Sequence, residues 1–152
     1  MAIEVSFTFD GQKQVTNRLQ STARGIRDLS ASMSSIGLYL SHLYGGEVFA
    51  SRGGIIGESW QSLSQDYAAD KAKKWPGRPP LIRTGAMRSN FRFDSDASSA
   101  RIYNPTPYFK YHQSSDPRSG HLPRRVMMKV DDTRRREVLR IIQAEINRKV
   151  GA

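Results

Sequence analysis

AIEVSFTFDGQKQVTNRLQSTARGIRDLSASMSSIGLYLSHLY, residues 2–44, changes its hydrophobic period once, and that change decides the fold class. As far as residue 9 the alternation is strict, with Ile3, Val5, Phe7 and Phe9 on one side and Glu4, Ser6 and Thr8 on the other. A period of two predicts a strand with one buried face. Asp10-Gly11 then ends it as a turn. Beyond the turn, Val15, Leu19, Thr22, Ile26, Leu29, Met33, Ile36, Leu40 and Leu43 follow at steps of three or four, with Arg18, Arg24, Arg27 and Asp28 off the stripe. This spacing predicts one long amphipathic helix over residues 12–44, about 45 Å long at about 1.5 Å per residue. A helix of that length outgrows the core of a small domain. It therefore packs on a neighbouring subunit or breaks and folds back, with Gly25 and Gly37 as places for a kink or a close approach.

Working outward from the helix, Gly45-Gly46, Gly53-Gly54 and Gly57 predict a flexible loop over 45–58. A short helix is predicted to begin near Glu58 or Ser59, with Trp60, Leu63 and Tyr67 on its core face and the stem of Lys71 behind them. Residues 71–88 carry Lys71, Lys73, Lys74, Arg78, Arg83 and Arg88 and no acid, while Pro76, Pro79 and Pro80 forbid a continuous helix. Thr84 can cap a helical turn through Gly85, Ala86 and Met87. Phe91 and Phe93 alternate as a strand, Asp94 to Ser99 make a turn, and Ile102 and Tyr103 return. Residues 114–123 read as a flexible polar loop, and Val126 to Val130 as a last strand. Asp131 or Asp132 caps a final helix whose buried stripe is Val138, Ile141, Ile142, Ile146 and Val150. The expected fold is α+β. It is one domain over 1–152, with a small, mainly antiparallel sheet packed by a long N-terminal and a shorter C-terminal helix.

A chain of 152 residues can bury one modest core. No apolar run approaches the roughly 20 residues of a membrane span, and the N-terminus lacks the pattern of a signal peptide, so no membrane partner is expected. Without cysteine there is no disulfide, thiolate nucleophile or cysteine-ligated zinc. The net charge of +10 favours an acidic protein surface, nucleic acid or an anionic membrane without choosing among them.

Catalytic chemistry finds no foothold. His42, His112 and His121 show no metal-site spacing, although His112 and His121 could share a zinc with Asp116. No phosphate-binding glycine motif or nucleophile elbow is present. Asp94 and Asp96 lie in a predicted hairpin turn, where carboxylates serve the turn itself. The expectation is a protein that is not an enzyme and has no catalytic residue, metal or cofactor. Nucleic-acid binding is the alternative. Arg124-Arg125 and Arg134-Arg135-Arg136 join residues 71–88 as basic clusters, and Tyr103, Tyr108, Phe109 and Tyr111 between them could stack bases. No motif for sequence-specific recognition accompanies them, and arginines in a first helical turn oppose the helix dipole unless Asp131, Asp132, Glu137 or an anionic partner compensates.

Four blocks remain. They are Trp60-x-x-Leu63-x-x-x-Tyr67-x-x-x-Lys71; Pro80-Leu81-Ile82-Arg83-Thr84-Gly85-Ala86-Met87-Arg88-Ser89-Asn90-Phe91; Tyr108-x-x-Tyr111-His112-Gln113; and Pro123-Arg124-Arg125. In this order and spacing the chain resembles the virion morphogenesis and tail-completion proteins of Mu-like and related tailed phages, over residues 60–125 most specifically. It departs from them where Val126-Met127-Met128-Lys129 follows the arginine pair and Ser114-Ser115-Asp116 follows His-Gln. The resemblance implies a structural role late in virion assembly, at the head-proximal end of the tail or in the neck. The implied partners are the chain itself in a ring, a hexamer by preference, and tail-tube and head-connector proteins, with possible contact to passing genomic DNA. The implied location is the virion, assembled in the bacterial cytoplasm. Candidate interface residues are Arg83, Thr84, Arg88, Tyr108, Tyr111, His112, Gln113, Arg124 and Arg125. Tyr108 and Tyr111 equally suit core packing, and Arg83 and Arg88 an internal ion pair or cap.

Overall fold

The structure is a computed structural model that describes residues 12–113 and 122–151. The strand expected over 2–9, the Asp10-Gly11 turn, and most of the 114–123 loop with Asp116 and His121 lie outside the described residues.

The 12–44 stripe forms two helices, α1 (Gln12–Arg27) and α2 (Ser30–Gly45). The break falls at Asp28 and Leu29, not at either glycine. Asp28 Oδ1 accepts a hydrogen bond from Ser30 N at 3.1 Å, and Leu29 N donates to Ala97 O at 2.8 Å. A short polar side chain competes with the helix for backbone donors, and the hairpin turn takes the next one. The bonds from Ser30 hold the Asp28 carboxyl below its ordinary range. The same periodicity then has two fates. Met33, Ile36, Leu40 and Leu43 of α2 are buried, whereas Leu19 and Ile26 of α1 are 65% and 39% exposed.

The core gathers around α2. On one side lies the antiparallel hairpin β1 (Arg92–Ser95) and β2 (Ala100–Tyr103), in the register Phe93 with Ile102 and Asp94 with Arg101. The Phe93 ring sits directly on Gly37, where a Cβ would come within 2.6 Å of its Cγ. The glycine inside α2 is thus the seat of the hairpin. The turn between the strands closes on Asp96, whose carboxylate accepts from the backbone and hydroxyls of Ser98 and Ser99.

Residues 45–58, expected to be a loop, contain α3 (Glu47–Ala50) and a 3₁₀ turn at Gly54–Ile56. Val48, Phe49 and Ile56 point into the core, and that burial orders the segment. Gly53 sits at φ 81° with its amide bonded to Val48 O, and a Cβ there would run into the Glu58 carbonyl and the Trp60 ring. The next helix, α4, is Gln65–Lys74 and does not begin at Glu58 or Ser59. Residue 60 is pulled inward instead: the Trp60 ring meets Phe49 edge-on, with centroids 5.2 Å apart, and its Nε1 donates to Val126 O at 2.7 Å. Trp60 therefore shares no face with Tyr67, which is 48% exposed.

Residues 126–130 form no strand. Their polar backbone groups meet side chains: Gln113 Oε1 accepts from Met127 N and Met128 N at 2.9 and 3.0 Å, and Gln113 Nε2 donates to Met128 O at 2.6 Å. Trp60 takes the Val126 carbonyl, and Tyr44 Oη donates to Lys129 O at 3.1 Å. One glutamine side chain imitates a strand partner. Helix α7 (Asp132–Val150) starts as predicted, with Asp131 accepting from Arg134 N at 3.0 Å. The Arg134 side chain is buried against Asp131 and Ile55 O, which offsets its unfavourable place at the helix start. Val138, Ile141 and Ile142 pack on the core, while Leu139 and Val150 are exposed. The architecture is α+β, with helices around one two-stranded antiparallel sheet among the described residues.

Candidate functional site

The four sequence blocks, scattered over more than sixty positions, meet around one cleft of about 730 Å³. One wall is the segment Gln61 to Ser64 that leads into α4, with Tyr67 and Lys71 of that helix. Opposite runs the turn Leu81 to Met87, which leads into α5 (Ala86–Ser89). Tyr108 and His112, the latter on α6 (Phe109–Gln113), close one end, and Leu122, Pro123 and Arg125 another.

The turn is rigid for local reasons. Ile82 and Met87 are buried anchors on either side of it. Gly85 takes φ 88°, a conformation open to glycine at no steric cost, and Thr84 Oγ1 accepts from Ala86 N at 3.3 Å. Arg83, between the anchors, is therefore presented outward, with its guanidinium 5.2 Å over the Trp75 ring. Such stacking restricts the side chain while leaving its hydrogen-bond donors available.

Two more cations are built into the wall. Lys71 is buried and donates from Nζ to Pro79 O at 2.6 Å. Arg125 is buried as well, donating from Nε to Gln61 O at 3.0 Å and from Nη2 to Ser62 O at 3.4 Å. Loss of water pushes the Lys71 ammonium below its usual value, and the nearby Arg125 charge adds to the shift. Burial lowers the Arg125 guanidinium too, with Tyr67 opposing. Among the described residues no carboxylate lines the cleft, and none forms an ion pair with Lys71, Arg83 or Arg125. Both buried cations rest on carbonyl dipoles alone.

Of the residues proposed from sequence, Arg83, Thr84, Tyr108, His112 and Arg125 come together here. The others do not. Arg88 reaches across to the end of α2, donating to Gly45 O at 3.1 Å, as a cap. Gln113 is turned inward on Met127 and Met128, Tyr111 is half exposed beside Lys110, and Arg124 is exposed. Leu63, Tyr67 and Lys71, expected on a core face, line the cleft instead. Their spacing at i, i+4 and i+8 was the available signal. Periodicity says that residues share a face but not whether that face meets the core or a cavity. Among the described residues, no group of three or more His, Asp or Glu side chains could hold a metal ion. No described helix is long and apolar enough to cross a membrane.

Residues 10–147 match the phage virion morphogenesis family, and the chain belongs to it. A structural or assembly role in the phage virion comes with that membership. Neither the curated proteins nor the solved structures hold a match to the chain.

Proposed function

We propose that this member of the phage virion morphogenesis family is a non-enzymatic structural subunit that completes the tail or joins it to the head, and that it does so as a ring, a hexamer by preference. The observation that carries the ring is the outer pair of helices. Helices α1 and α7 pack together, and Leu19, Ile26, Leu139 and Val150 on them stay 65%, 39%, 57% and 42% exposed. Apolar side chains left uncovered on paired helices are suited to a neighbouring copy, whose approach removes them from water. The cleft, on other elements of the fold, stays available for tail-tube or connector proteins.

Native mass at low and moderate salt, of the chain alone, with duplex DNA and with tail and neck proteins, tests this reading. The expected result is a discrete ring, either alone or with tail and neck proteins, and its loss in Leu19→Glu/Leu139→Glu. A chain that stays monomeric under all these conditions overturns the ring. A second reading, nonspecific nucleic-acid binding, draws on the net charge of +10 and on Arg135 and Arg136, exposed at the start of α7. It requires an affinity for duplex DNA whose logarithm falls linearly with the logarithm of salt.

A further inference from the structure

We infer that the cleft between α4 and the 81–87 turn is a receptor for one carboxylate of an extended peptide segment, with Lys71, Arg83 and Arg125 receiving the charge and the apolar wall receiving a flanking aliphatic side chain. The proposal rests on the assembly reading only for where the segment comes from, a neighbouring virion protein.

Three observations lead there. Lys71 and Arg125 are buried without a carboxylate partner among the described residues, and Arg83 stands at the same cleft on a stacked, restrained stem. Burying a cation without an opposing charge costs stability, and a docking anion relieves that cost at the moment of binding. The remaining lining is largely apolar, with Leu63, Leu81 and Met87 beside the rings of Tyr67 and Tyr108. A volume of about 730 Å³ is in the range of sites that enclose a few residues or a small ligand. Finally, Arg125 is held by the carbonyls of Gln61 and Ser62, so its position is fixed before any ligand arrives.

A nucleic acid fits these features less well. Nonspecific binders of single strands follow a backbone with a long basic groove, several phosphates at a time. Here three cations, Lys71, Arg83 and Arg125, line one cleft whose other lining is mostly apolar, a pattern for a single anion next to an apolar group. Electrostatic matching of this kind sets register between subunits, as a protein that joins two assemblies requires.

The test uses the full chain and an array of short labelled peptides, each with one central glutamate and leucine or valine at varied flanking positions. Binding is read by fluorescence polarisation. The expected result is saturable binding of a subset, weakened about tenfold or more when glutamate becomes glutamine, and weakened similarly by Arg83→Gln or Tyr67→Ala in the protein. Both of those side chains are exposed, so the variants are expected to fold, and circular dichroism checks this. Equal binding of the glutamine peptides overturns the proposal, as does no binding by any member. Displacement of the peptide by a single-stranded oligonucleotide that binds more tightly also overturns it, in favour of nucleic acid. A chain that forms rings but ignores the peptides loses this inference alone. One that binds them and stays monomeric loses the ring reading alone.

Discussion

The 92–103 hairpin and the 125–129 segment both pack against the core, yet they satisfy their backbone polar groups in opposite ways. In the hairpin, backbone meets backbone, with Phe93 opposite Ile102 and Asp94 opposite Arg101. In the other segment the partners are the side chains of Trp60, Gln113 and Tyr44, together with the His112 carbonyl, which accepts from Arg125 N. A backbone ladder tolerates substitution at exposed positions, since every residue except proline offers the same donor and acceptor. A segment stitched by side chains depends on those side chains. Gln113 illustrates the difference. Read as an interface residue, it is instead a tie between α6 and the Met127-Met128 backbone.

The largest effect is expected from breaking that tie. Gln113→Leu keeps the volume but removes the partners of two N–H groups and one carbonyl, all partly buried, and is expected to destabilise the fold by about 3 kcal/mol in urea unfolding. A loss no greater than that of an exposed hairpin change such as Arg92→Gln would show that the segment does not need its side-chain partners. On the hairpin side, Gly37→Ala drives a methyl group into the Phe93 ring and is expected to cost about 2 kcal/mol. The companion change Phe93→Leu in the same chain should recover part of this, because it removes the obstructing ring.

Trp60→Phe sharpens the contrast on a smaller scale. The ring contact with Phe49 survives in part, but Val126 O loses its donor, for an expected loss of about 1.5 kcal/mol by thermal or urea unfolding. The smallest effect belongs to the hairpin turn and depends on pH. Hydrogen bonds from Ser98 and Ser99 lower the Asp96 carboxyl from 3.8 to about 2. Because the folded value lies below the unfolded one, the stabilisation is complete above the unfolded value and is lost as pH falls through about 2. The gap in melting temperature between the protein and its Asp96→Asn variant should therefore close between pH 4 and pH 2. A gap that stays constant over that range would remove the carboxylate from the account.

What the amino-acid sequence determined by itself is local. The hairpin, the Asp131 cap of α7 and the apolar stripe of α2 follow from residues within about a dozen positions of one another, whereas the ring that packs on Gly37 comes from Phe93, far along the chain. The four blocks, too, resembled the family to which the chain belongs, over much of its length. Tertiary structure decided the rest, because the deciding partners are distant in the chain. The helix break needs the Ala97 carbonyl to reach Leu29, and residues 126–130 are denied a strand partner by a glutamine more than ten positions earlier. Tyr67 and Lys71 of α4 are assigned to a cleft only when residues 81–87, Tyr108, His112, Leu122, Pro123 and Arg125 line it with them. Hydrophobic period reports which side chains share a face, but a backbone donor or a buried cation is satisfied by whichever group the fold brings to it.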